Sequence, residues 1–249
     1  AIWNRFGIQS WPSLRIIDPE GRLVAGHSGE IPFEALDEFF KKFIRYYEQK
    51  GTLDRTPLKF ALETEKLKPT PLRFPGKVLA DGPGNRLFIS DSNHNRIVVT
   101  NLDGSLQDII GNGEIGDTNG AYDVATFNHP QGMAIHGNTL YVADTENHLL
   151  RKVDLEKKVV STIAGTGKQG RGPWPGIKQG LTGVTIPKRF YGPAKKTALA
   201  SPWALWVHGD DLYIAMAGPH QIWKMPLDES EIGIYAGNGR EDIVDGLLV

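Results

Sequence analysis

Arg86-Leu-Phe-Ile-Ser-Asp91-Ser-Asn-His-Asn95-Arg-Ile97 sets the reading of the chain, because it returns twice. Thr139-Leu-Tyr-Val-Ala-Asp144-Thr-Glu-Asn-His148-Leu-Leu150 and Asp211-Leu-Tyr-Ile-Ala-Met216-Ala-Gly-Pro-His220-Gln-Ile222 align with it without gaps. Each copy opens on a short apolar run rich in β-branched and aromatic residues. It then crosses a polar turn and resumes as a second apolar run, which is the pattern of a hairpin. Helical i, i+3, i+4 spacing is absent from these runs.

The alignment extends in both directions. Downstream of each copy stands a glycine pair, Gly111-Asn-Gly113, Gly165-Thr-Gly167 and Gly237-Asn-Gly239. Upstream stands a proline, Pro75, Pro130 or Pro202, followed by one more short apolar run. A unit thus reads as four antiparallel strands closed by glycine, which is one blade of a β-propeller. The central position advances 53 residues from Asp91 to Asp144 and 72 from Asp144 to Met216, so an insertion precedes the third unit. The expected blades are about 74–113, 128–167 and 200–239.

These strings resemble NHL repeats. Phe74-Pro-Gly-Lys77, Phe127-Asn-His-Pro-Gln-Gly132 and Tyr141-Val-Ala-Asp-Thr-Glu-Asn-His148 resemble more closely the family of NHL repeat-containing protein 2 and suppressor of quenching. In that family a thioredoxin-like domain precedes the propeller. The resemblance implies about six blades in the whole protein, a thiol–disulfide or redox-sensing role and a lean toward a non-cytoplasmic or lumenal compartment.

Residues 1–50 have a different pattern. Ser13–Asp18 and Arg22–His27 read as strands joined by the turn Asp18-Pro-Glu-Gly21. Pro32 opens a helix to about Gln49, with Phe33, Leu36, Phe39, Phe40, Phe43, Ile44 and Tyr47 on one face and Gly51 as its stop. Hairpin followed by helix resembles the second half of a thioredoxin fold. The resemblance implies that Trp11-Pro12 stands where that fold carries a cis-proline beside its redox site. Residues 51–73 read as a linker. The expected fold is therefore mainly β: a partial NHL β-propeller of about three four-stranded blades (74–249), preceded by the C-terminal half of a thioredoxin-like α/β domain.

A half-sheet with one helix cannot cover its own apolar face. Three blades cannot close a ring, and the blade linker Asp245-Gly246 begins again just before Val249. The chain therefore reads as an internal piece of a longer protein.

Composition narrows the function. The 249 residues carry 28 Lys+Arg against 29 Asp+Glu, a net charge of −1, which argues against nucleic-acid binding over the whole surface. With no Cys, the chain contains no disulfide, thiolate metal site or Cys nucleophile of its own. No apolar run approaches the length of a membrane span. No motif calls for a cofactor, and no complete catalytic site is evident.

His94, His148 and His220 suggest a zinc site, but they fall in separate blades and His94 is one place out of register. Asp91 and Asp144 suggest calcium, yet Met216 replaces them in the third unit, and turn-capping is the simpler reading. Trp203, Trp206 and Trp223 read as packing between blades.

The insertion at 168–196 is the most distinctive segment. It holds Lys168, Arg171, Lys178, Lys188, Arg189, Lys195 and Lys196 without any Asp or Glu, together with Trp174, Phe190 and Tyr191. It reads either as a solvated loop or as a contact for an anionic partner. Three functions compete. A scaffold coupled to a thioredoxin-like module and presenting loops to a protein partner is preferred. The others are a metal-dependent propeller enzyme of lyase or lactonase type, and RNA binding through the basic insertion.

Overall fold

The computed structural model describes residues 2–9, 12–29, 31–57, 59, 68–171 and 190–239. The chain divides into two units, Ala1–Lys68 and Pro69–Val249.

In the first unit a short helix α1 (Ile2–Arg5) precedes strands β1 (Ser13–Ile17) and β2 (Leu23–Ser28), which pair antiparallel. Asp18 closes the hairpin, its carboxylate accepting the Glu20 and Arg22 amides. Helix α2 (Phe33–Lys50) then runs to Gly51, whose φ of 73° provides the left-handed stop. The Tyr47 hydroxyl donates to Asp18 at 2.9 Å and ties helix to hairpin. Of the apolar face expected from the spacing, only Tyr47 is buried, while Phe33 is 76% exposed and Phe40 and Ile44 are partly exposed. The described part of this unit supplies one hairpin and one long helix, too little to cover that face.

The second unit is built of three sheets. The first holds β3 (Lys77–Asp81), β4 (Arg86–Asp91), β5 (Arg96–Thr100) and β6 (Leu106–Ile110) in sequential order. The second is formed by β7 (Gly120–Ala121), β8 (Pro130–His136), β9 (Thr139–Asp144), β10 (Leu149–Asp154) and β11 (Val159–Ala164). The third comprises β12 (Tyr191–Pro193), β13 (Pro202–His208), β14 (Asp211–Met216), β15 (Gln221–Pro226) and β16 (Glu231–Ala236).

The expected four-strand meanders are present, and two sheets carry a fifth strand. β7 pairs with β11 and β12 with β16, so the segment entering a blade first covers that blade's outer edge. An exposed edge would otherwise present unpaired backbone groups. The part of the insertion from Tyr191 onward is therefore not a structureless loop. Tyr191 and Gly192 lie in β12, Phe190 O accepts the Ile234 amide, and Lys195 and Lys196 sit exposed on a 3-10 turn.

The sheets pack face to face through their apolar sides. Phe88, Ile97, Val99 and Ile110 of the first meet Leu140, Val142, Val153 and Val160 of the second. Tyr141, Leu150 and Ile163 meet Leu212, Ile214, Trp223 and Ile234 of the third. The innermost strands approach so closely that a Cβ on Gly132 would lie 2.5 Å from Ala204 Cα. Among the tryptophans expected between blades, Trp223 is fully buried, but Trp203 and Trp206 are 43% and 61% exposed. Trp206 instead stacks on His208 and lies tilted against Tyr213 within its own sheet.

Candidate functional site at the blade junctions

At one end of the sheets the β4–β5, β9–β10 and β14–β15 turns meet the segments entering β3, β8 and β13. The same hydrogen bonds recur there. Asp91 accepts the Arg73 amide at 2.6 Å, and Asp144 accepts the Asn128 amide at 2.8 Å. The donors lie upstream on the entering segment, so each carboxylate ties its turn to its own blade's entry and not merely to itself. His94 Nδ1 donates to Asp91 at 2.8 Å, and Asn147 Nδ2 donates to Asp144 at 2.8 Å. His94 thus does the work of an asparagine.

A second set joins neighbouring blades. The Ser92 and Thr145 hydroxyls donate to the carbonyls of Pro130 and Pro202, both at 2.7 Å. Asn95 and His148 occupy the left-handed end of their turns, with φ of 51° and 53°. Asn95 Oδ1 accepts the His129 amide and His148 Nδ1 accepts the Ser201 amide, each at 3.1 Å. His148 is therefore held neutral at Nδ1, and burial pushes its pKa down against the raising pull of Glu146. The three histidines belong to two different structural columns. No group of three or more His, Asp or Glu able to hold a metal occurs among the described residues.

The second blade hides an ion pair that the sequence reading missed. Arg151, fully buried, donates to Asp144 at 2.8 Å, to the Thr126 and Thr118 carbonyls and to Asn119, and lies over the Phe127 ring. Burial raises the Asp144 pKa to about 6 against the lowering pull of Arg151. In the third blade Met216 and Trp223 stand at the equivalent positions, so acid and base are exchanged together for two buried apolar side chains. A buried pair and a well-packed apolar pair are near-equivalent solutions, whereas half a pair is costly.

Between the second and third blades the same end carries a cavity of about 260 Å³ lined by Asn128, His129, Gln131, Thr145, Glu146 and Trp203. The base of the basic insertion is tied beside the segment entering β13, where the Gly170 amide donates to Leu199 O at 2.7 Å. Lys168 and Arg171 are exposed on one root, and Lys195 and Lys196 are exposed on the other. Trp174, Lys178, Lys188 and Arg189 lie outside the described residues, as does Trp11, and with it the geometry of the bond to Pro12. Pro12 itself is exposed at the start of the hairpin, its carbonyl accepting the Gly29 amide.

Meandering sheets packed face to face, with a turn chemistry repeated blade by blade, define an NHL-type β-propeller segment. The NHL repeat family matches residues 127–153, from just before β8 into β10. The chain carries an NHL repeat there and is similar to NHL-repeat proteins over nearly its whole length. It is 36% identical over 262 residues to NHL repeat-containing protein 2 of Gallus gallus, spanning 97% of this chain and 34% of that protein. It is 40% identical over 253 residues to SUPPRESSOR OF QUENCHING 1, chloroplastic, of Arabidopsis thaliana, spanning 98% of this chain and 23% of that protein. The chain thus spans about a third or less of the length of these relatives. Among solved structures, a Bacteroides thetaiotaomicron structural genomics protein of unknown function aligns with TM-score 0.44 at 18% identity, covering 63% of this chain and 34% of that one. Among the described residues no helix is long and apolar enough to cross a membrane.

Proposed function

We propose that the chain is the binding platform of a larger thiol-linked protein: a propeller segment that presents its junction end to a protein partner and is coupled to a thioredoxin-like module. The observation that carries this reading is the gathering of features at one end of the sheets. The junction cavity and the Gly170–Leu199 contact at the base of the seven-charge insertion share it, while the repeated turns beneath are occupied with holding the blades together. A rigid scaffold bearing variable surface segments is suited to recognition. The basic insertion favours an acidic surface on the partner. The β1–β2–α2 order, with Pro12 at the head of the hairpin, supports the thioredoxin-like assignment of the first unit.

The test is capture of partners by the complete protein. Changing Lys168, Arg171, Lys178, Lys188, Arg189, Lys195 and Lys196 to Gln is expected to remove the captured protein while the fold stays intact. Retention of every partner by that variant would overturn the platform reading. The thiol half is tested separately, since a Cys-free form of the complete protein should lose any redox-dependent phenotype.

A further inference from the structure

The cavity between the second and third blades contains a pair of side chains that the blade frame does not need. Thr145 is committed to Pro202 O, the Glu146 amide to Asn128 O, the His129 amide to Asn95, and His129 Nδ1 to Asn128. The Glu146 carboxylate and the Trp203 indole have no hydrogen bond, ion pair or ring partner among the described residues. Both are exposed at the cavity wall.

Comparison with the neighbouring junction isolates them further. Around this junction the frame positions repeat in kind, with Ser92 answering Thr145, Asp91 answering Asp144 and Asn95 answering His148. At the position of Glu146 the first blade has Asn93, and at the position of Trp203 the second has Gln131. Of the two junctions among the described residues, the second alone lines its cavity with both a carboxylate and an indole.

A carboxylate and an indole on one cavity wall are complementary to a cation with an apolar stem. The indole face attracts the charge and covers the methylenes, and the carboxylate neutralises it. The planar guanidinium of arginine suits both, by stacking on the ring and by donating to the carboxylate. We propose that this cavity receives an arginine side chain of a protein partner, with Trp203 as the stacking wall and Glu146 as the counter-ion. The proposal rests on the platform reading and names a chemistry that the partner must carry.

The test titrates the chain with a short Gly/Ser peptide bearing one central arginine, following the Trp203 indole N–H by NMR. A peptide with norleucine in place of arginine is the control. The arginine peptide is expected to shift the Trp203 signal saturably and the norleucine peptide weakly. Glu146→Gln should weaken the arginine peptide about three- to tenfold and leave norleucine unchanged. Trp203→Ala should abolish binding, with Trp203→Phe retaining part of it. Glu156→Gln, the same charge loss on the β10–β11 turn at the opposite end of the blade, should have no effect. Equal response to arginine and norleucine, or full affinity in Glu146→Gln, would overturn the proposal. Retained partner capture after neutralising the basic insertion, with arginine binding intact, would overturn the platform and leave this site standing; lost capture with no arginine binding would leave the platform standing without the site.

Discussion

His148 illustrates how one side chain can be both structural and pH-sensitive. Its Nδ1 accepts the Ser201 amide across the blade junction, and burial depresses its pKa below the ordinary histidine value near 6.5. A base with a lowered folded pKa contributes stability that is fully present above the unfolded value. That contribution is lost as pH falls below about 6.5 toward the folded one. Asp144 acts in the opposite sense: its raised pKa of about 6 makes the folded state the better proton acceptor, so its term gains stability as pH falls toward 3.8. The two are separated by His148→Asn, the residue type that makes the equivalent bond at Asn95. The variant should match the parent at pH 7.5 in urea unfolding and lose less stability between pH 7 and 5; an identical pH slope would refute the role. Asp144 also poses a pairing test. Asp144→Asn strands the Arg151 charge in the core and should cost about 3–5 kcal/mol. The double change Asp144→Met with Arg151→Trp copies the third blade and should recover part of that loss. A double-mutant cycle measures the coupling.

The close approach of neighbouring blades is set at the level of the strand. Gly132 on β8 lies where a side chain would strike the backbone of β13 at Ala204, so Gly132→Val must push two inner strands apart. The expected loss is about 1–3 kcal/mol in denaturant unfolding, the usual penalty of overpacking; a neutral result would mean that the inner strands yield freely. The same scale explains what the sequence displayed and what it hid. The four-strand meanders were legible because alternating apolar runs, turn residues and glycine pairs repeat in register, as from Leu87 to Ile97 and from Leu140 to Leu150. β7 and β12 were not, because Gly120-Ala121 and Tyr191-Gly192-Pro193 have no strand periodicity or propensity of their own. They are strands only because β11 and β16 offer an edge to pair with. Arg151 was equally hidden, since an arginine in an apolar strand pattern declares a buried partner only once the fold brings its guanidinium against Asp144. The junction cavity joins Glu146 and Trp203 from different blades, and no spacing rule links them. A comparison of the repeats column by column does single out both positions, as residues that vary where the frame does not.

At the scale of the whole chain, near-neutral net charge conceals a segment with seven positive charges and no acids. The described ends of that segment are tied into the frame. Gly170 already bonds Leu199 across its roots, Phe190 O holds Ile234, and β12 covers the edge of the third sheet. Removing residues 172–189 while keeping the roots shortens a connection whose closure entropy changes only slowly with length, by about 0.6 kcal/mol for each twofold change. The shortened chain is therefore expected to unfold within about 1 kcal/mol of the parent, provided the new junction spans without strain. The deletion takes out Lys178, Lys188 and Arg189 together with Trp174. If the segment recognises an acidic partner, capture should weaken, and what remains should depend less steeply on salt because fewer exposed charges contribute. Circular dichroism and urea unfolding report the first expectation, and binding measured across a salt series reports the second. Unchanged binding with an unchanged salt slope would exclude Lys178, Lys188, Arg189 and Trp174 from the contact. A collapse of the fold would mean instead that the segment is a structural part of the second and third blades.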